Sequence, residues 1–370
     1  MPHRLLIALA LLMALSPGLA GVTPDAARAQ SEKPVIVASF SILADIAAHV
    51  AGDAVTVRSL MPLGANPHTY SPTAQDVARL SDADRVLVVG ANYEETLLPV
   101  VEEAAGDRVV VVSQCVPIRP IVTGEAPAPE RESADDHERP SSAWNEICAA
   151  HYEALDAAFG DRAEVRGEVL GPLYALPCGE DAPPSGGSEH AHEAGACDPH
   201  VWTDPANAAL WALSIRDTLS ELDPAGAESY AANTDAYLAE LAALDEEIRA
   251  LIDTIPTERR AIVTNHVALT YFAARYGLSV AGVIVPGGST TSEPSVREVL
   301  GLVDTVQARG VPAIFTETTA SDATARQIAD EAGIALVPLY TGSLSAPEDG
   351  AGTYLDYMRY NAAAIADALR

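Results

Sequence analysis

Three histidines sit in settings suited to coordination chemistry: His68 in Asn66-Pro67-His68, His200 in Asp198-Pro199-His200-Val201-Trp202, and His266 in Thr264-Asn265-His266. A neutral imidazole is the commonest side-chain ligand for zinc, and a metal site often draws its ligands from distant loops. Two of the three lie against turn-forming residues at the end of a strand-like stretch. One such histidine alone reads as structural or surface-exposed. Three together, behind an export signal, point to capture of a transition-metal ion. Three imidazoles about 2.0–2.1 Å from an ion form a zinc-suited set with one position open. An enzyme would keep a reactive water there, whereas a carrier would keep a carboxylate or an idle water.

The elements that must position these residues follow an α/β rhythm. Apolar strands are predicted at 35–39, 55–60, 85–89 and 109–112, with helices through Ile42, Ile46 and Val50 and from Thr73 through Val77 and Leu80. A helix from Pro205 precedes a long helical pattern at about 225–255, where Leu238, Leu241, Leu244, Ile248, Leu251 and Ile252 recur at spacings of three and four. That pattern would extend roughly 45 Å at 1.5 Å per residue, enough to cross between two lobes. The alternation then resumes, with strands at 261–264, 280–285, 313–316 and 335–338, helices at 269–276 and 295–309 and through Ile328, and a closing helix at 353–369. Continuous apolar strands alternating with helices indicate parallel sheets covered on both faces. The expected fold is α/β: two lobes, each with a mainly parallel sheet flanked by helices, joined by one long rigid helix, with the metal site in the cleft between them. The lobes are placed at 34–223 and 256–370, and the linking helix at 224–255. Ligands of open α/β sheets bind beyond the carboxyl ends of the strands, where His68, His266 and Glu317 fall.

Composition narrows the class further. The chain has 370 residues and a formal net charge of −30, which repels phosphate backbones and makes nucleic acid a poor partner. Residues 1–29 read as a cleavable signal peptide. Arg4 precedes an apolar run from Leu5 to Leu15, and Ala27-Arg28-Ala29 is a small-x-small cleavage site. A periplasmic or extracellular protein, not embedded in the membrane, is therefore expected. Cys115, Cys148, Cys178 and Cys197 form an even set in an oxidising compartment, so two disulfides are expected, with Cys115–Cys197 and Cys148–Cys178 favoured. All four fall in or beside an acidic insertion at about 117–197, with a short helix predicted at 143–159. Within it, Glu189-His190-Ala191-His192-Glu193 reads equally as a weak metal collector or as a solvated charged loop.

Several segments together resemble the metal-binding solute receptors of ABC importers, in their zinc and manganese cluster. They are residues 37–43, 62–72, 198–205, 265–277, 315–317, 339–345 and 354–361, and Asp-Pro-His-Val-Trp followed by Asp204-Pro205 is the most specific. The resemblance implies that His68, His200 and His266 are metal ligands. It implies as partners a membrane permease and its ATPase, with the receptor a monomer and not an enzyme. Manganese members, and some zinc members, place an aspartate just before a Ser-Leu-Ser stretch. Here that position is Gly342, leaving Glu317 or a water as fourth ligand. Glu189–Glu193 stands where family members often carry a His-rich acidic loop.

Nitrogen donors favour zinc and carboxylate oxygens favour manganese. The expected cargo is therefore Zn2+, with Mn2+ the alternative. A secreted zinc hydrolase is the rival from another class. It would need a general base beside the bound water, and Glu317 is available, but no His-Glu-x-x-His helix or oxyanion hole is visible.

Overall fold

The structure is a computed structural model that describes residues 33–94, 96–120, 143–160, 168–169, 197–285 and 294–370. The leader, Cys178, and His190 and His192 within Glu189–Glu193 lie outside the described residues.

The first sheet is built from β1 (Val35–Ala38), β2 (Thr56–Ser59), β3 (Arg85–Val88) and β4 (Val109–Val111), all parallel, in the order β2-β1-β3-β4. Helices α1 (Ser41–Ala51), α2 (Ala74–Asp82) and α3 (Leu98–Ala105) connect them. The last of these was not predicted. Thr73 caps α2 in a reciprocal box with Asp76, which ends the long loop carrying His68.

Beyond β4 the insertion contributes more than loops. β5 (Pro117–Pro120) pairs antiparallel with β6 (Glu168–Val169) and with β7 (Cys197–Asp198), a small sheet the sequence did not reveal. α4 (Ala143–Phe159) packs on α5 (Pro205–Leu222) and on α6 (Ala227–Ile252). The expected disulfide pairing is corrected: Cys115 is bonded to Cys148, with Cα atoms 5.3 Å apart. The register explains why Cys115 does not reach Cys197. Cys197 faces Pro120, five residues beyond Cys115, or roughly 15 Å of extended chain, against a disulfide limit of about 7 Å. Cys197 is itself disulfide-bonded.

The second sheet comprises β8 (Ala261–Thr264), β9 (Ser279–Val283), β10 (Ala313–Glu317) and β11 (Ala335–Leu339), parallel in the order β11-β10-β8-β9. α7 (Thr270–Tyr276), α8 (Val296–Arg309), α9 (Ala323–Ala332) and α10 (Tyr354–Leu369) complete this half.

The long helix is present, at 26 residues, or about 39 Å. It is embedded along much of its length, packing on α5, α1 and α10. Where it crosses the end of α1, Gly52 adopts φ +55, and a Cβ there would lie 2.9 Å from the side-chain amide of Asn233. One apolar core runs from Ile36 and Val37 in the first sheet through Leu241 and Ile248 of α6 to Leu339, Tyr354 and Ile365. A smaller core, including Val263, Ile314 and Ile328, lies on the other side of the second sheet.

A buried charge cluster also ties the halves together. The Arg275 guanidinium on α7 donates to Asp245 on α6 at 2.6 Å and lies 3.2 Å from Asp204, the residue that caps α5 just after the His200 segment. All three side chains are nearly fully buried. Replacing Arg275 by methionine would remove the cation closest to both buried carboxylates, while Arg249 stays 3.7 Å from Asp245. Unfolding in urea should show a loss of about 3–5 kcal/mol; an unchanged midpoint would contradict this role.

Candidate metal centre

All three predicted histidines come together. Their candidate ligand nitrogens lie within 4.8 Å of one another, and the ring centroids are 4.8–5.7 Å apart. Each reaches this point by its own device. His68 lies on the loop after β2, where Asn66 Oδ1 accepts a hydrogen bond from the His68 backbone N–H at 3.0 Å. That Asx-type turn fixes the loop locally. His200 follows β7, and its backbone N–H donates to Asp198 Oδ1 at 3.0 Å. Trp202, two residues on, donates from its indole to the carbonyl of Thr341 at 3.0 Å, anchoring the segment to the other half. His266 lies just beyond β8, with its carbonyl accepting from Thr264 Oγ1 at 2.8 Å. His200 and His266 are fully buried and His68 mostly so.

Two carboxylates set the chemistry of two rings. Asp198 Oδ1 lies 2.8 Å from His200 Nδ1, and Glu317 Oε1 is hydrogen-bonded to His266 Nδ1. An ionised carboxylate only accepts, so each Nδ1 carries the proton and each Nε2 presents its lone pair. The two Nε2 atoms are 3.0 Å apart. Lone pairs so close repel unless a cation or a proton lies between them. Around a tetrahedral ion with bonds of about 2.0–2.1 Å, nitrogens stand about 3.4 Å apart, so a small relaxation would accommodate one.

Glu317 was a candidate fourth ligand. It stands behind His266 instead. Its Oε1 faces His266, and its Oε2 accepts from Thr341 Oγ1 at 2.7 Å. Burial opposes its ionisation, but His266 and the Thr341 hydroxyl outweigh that and hold its pKa well below the usual carboxylate range. Gly342 offers no donor, and a Cβ there would come within 2.9 Å of Pro67 Cγ.

Other contributors were not singled out from sequence. Thr270, at the start of α7, donates from its hydroxyl to Asp198 Oδ2, and Tyr271 donates to the Asp198 carbonyl at 3.0 Å. One half of the molecule thus orients the carboxylate that orients His200. Neither residue has a spacing signal, because the contact spans about seventy positions. Tyr93, in the turn after β3, lines the same region, and Glu94 beside it accepts from the Val89 backbone N–H at 2.7 Å.

Burial pushes the His68 pKa down to about 3, helped by His266 and His200, and burial also lowers that of His200 despite Asp198. An unperturbed histidine, with a pKa near ~6.5, predicts loss of metal affinity below about pH 6. His68 and His200 stay neutral further into acid, so that limit moves down. For folding the sign is opposite in kind. The unfolded chain takes up protons below about pH 6.5 that these native rings refuse, so stability present above that pH is lost as pH falls toward 3. The urea midpoint of the metal-free protein should be lower at pH 5 than at pH 7.5, and less so in a His68→Asn variant. Equal pH dependence in the two proteins would contradict the shift. Thr270→Val should weaken metal binding by about tenfold, with recovery in Thr270→Ser; a chelator competition titration measures both.

Comparisons with known proteins identify the family. The model of the family described as "ZnuA: Zinc-uptake complex component A periplasmic" matches residues 36–368. The manganese-binding lipoprotein MntA of Halalkalibacterium halodurans is 29% identical over 327 residues, covering 88% of this chain and 85% of its own. The iron-binding protein YfeA of Yersinia pestis is 27% identical over 337 residues, covering 91% and 86%. The periplasmic zinc binding protein TroA of Treponema pallidum superposes with a TM-score of 0.65 at 25% identity, covering 91% of this chain and 99% of TroA. The chain belongs to the zinc-uptake component A family, the periplasmic metal-binding solute receptors of ABC importers, which are not enzymes.

Proposed function

We propose that this protein captures Zn2+ outside the cytoplasm with His68, His200 and His266 and delivers it to the permease and ATPase of an importer. The observation that carries this reading is the facing pair of Nε2 atoms, each on a ring whose Nδ1 is engaged by a carboxylate. Such backing raises ligand basicity and fixes ring orientation, the arrangement zinc sites use. A donor set of three nitrogens, with Glu317 engaged behind His266, favours zinc over manganese.

Export through a leader cleaved after Ala29, with release as a monomer, completes the proposal. Among the described residues, no helix is long and apolar enough to cross a membrane. Manganese is the second reading, because MntA is named for that metal.

Metal analysis of gently purified protein, with competitive titration of Zn2+ against Mn2+, separates the two. Zinc should be retained and should outcompete manganese; preferential retention of manganese would overturn the zinc assignment. Zn2+ at about 100 times its dissociation constant should stabilise the fold by about 2.7 kcal/mol, read as a rise in melting temperature. His200→Ala should abolish most of that rise. An undiminished rise would remove His200 from the site.

A further inference from the structure

Tyr93 forms part of the wall around the three histidines. Its ring stands edge-on to His68 at 6.0 Å and to His200 at 6.4 Å, and it packs on Phe40 at 5.0 Å and Trp202 at 4.8 Å. The side chain is buried, and its hydroxyl finds no hydrogen-bond partner among the described residues. Burying a hydroxyl without a partner is unfavourable, and such groups in folded proteins call for an explanation.

The backbone is shaped to put it there. Gly90, Ala91 and Asn92 all have positive φ, at +86°, +50° and +65°. An alanine in that region is strained, and strain of this kind collects at functional sites. Glu94 clamps the turn from behind, accepting from Ser39 Oγ at 2.7 Å and from the backbone N–H groups of Val89 and Gly90 at 2.7 and 3.0 Å. The chain thus holds a phenol in place by a strained turn and a buried carboxylate, while no described protein group uses the hydroxyl.

The hydroxyl also borders the side of the site where Gly342 stands and no described residue offers a donor. A Cβ placed on Gly342 would lie 3.7 Å from it. Glu317 has both oxygens hydrogen-bonded, and three imidazoles leave one position of a tetrahedral ion to be filled. We propose that the Tyr93 hydroxyl donates a hydrogen bond to a water molecule that completes the coordination shell of the captured ion. This rests on the three-histidine site proposed above. The phenol is poorly satisfied without the ion and gains its partner when the ion brings its water, so the hydroxyl contributes to affinity and not to folding.

Tyr93→Phe removes only the oxygen. The full chain and this variant are titrated with Zn2+ against a chelator, loaded with Co2+ for visible absorption, and melted free of metal. Zinc affinity should fall by about tenfold. The Co2+ bands should change, and the metal-free melting temperature should hold or rise as a buried unpaired group is removed. Affinity within twofold of wild type with an unaltered Co2+ spectrum would overturn the role of Tyr93, as would a metal-free melting temperature that falls in step with affinity. If the wild-type chain binds neither ion, the histidine site fails, and Tyr93 loses its role with it.

Discussion

Keeping imidazoles neutral and correctly turned in a place with little water is the constraint on which this structure depends. A buried ring that chose its own tautomer could present N–H where a lone pair is needed. Asp198 and Glu317 remove that choice for His200 and His266. Each carboxylate is held in turn, one by Thr270 and the other by Thr341. The order of control runs outward, from lone pair to carboxylate to hydroxyl to the helix or strand that carries the hydroxyl.

That chain of control crosses the molecule more than once. Thr270 and Tyr271 come from the second half and act on Asp198 of the first. Trp202 of the first half donates to the carbonyl of Thr341, whose side chain restrains Glu317. Ser343 accepts from the backbone N–H of Gly64 at 2.8 Å, in the loop that leads to His68. The segment after β11 therefore touches all three histidine-bearing segments, directly or through one residue. A single continuous core, and the Arg275 cluster buried beside it, hold those segments in register.

The sequence was most informative where local rules govern. Strand and helix positions were legible from apolar runs, from Thr73 and Ser295 as capping residues and from Gly277 as a terminator, because these signals act within a few residues. The histidines were legible because turn-forming neighbours mark strand ends, and strand ends are where such sheets bind ligands. Contacts that depend on tertiary register were not. The antiparallel alignment of β5 with β7 keeps Cys115 from Cys197, and two residues of β5 are prolines, which conceal a strand from any propensity scale. Glu317 was identified as important, but its place behind His266 depends on which face of the strand end meets the ring. Thr270 and Tyr93 gave no pattern, since a single hydroxyl beside a site has no periodicity.

The close approach of Pro67 to Gly342 makes the coordination set hard to alter by degrees. A Cβ added at position 342 would lie 2.9 Å from the ring of Pro67, the residue before His68. A side chain introduced at 342 therefore requires a shift of the loop that carries His68. Packing and coordination are thereby coupled at this corner: a side chain at 342 and the loop that carries His68 compete for the same space.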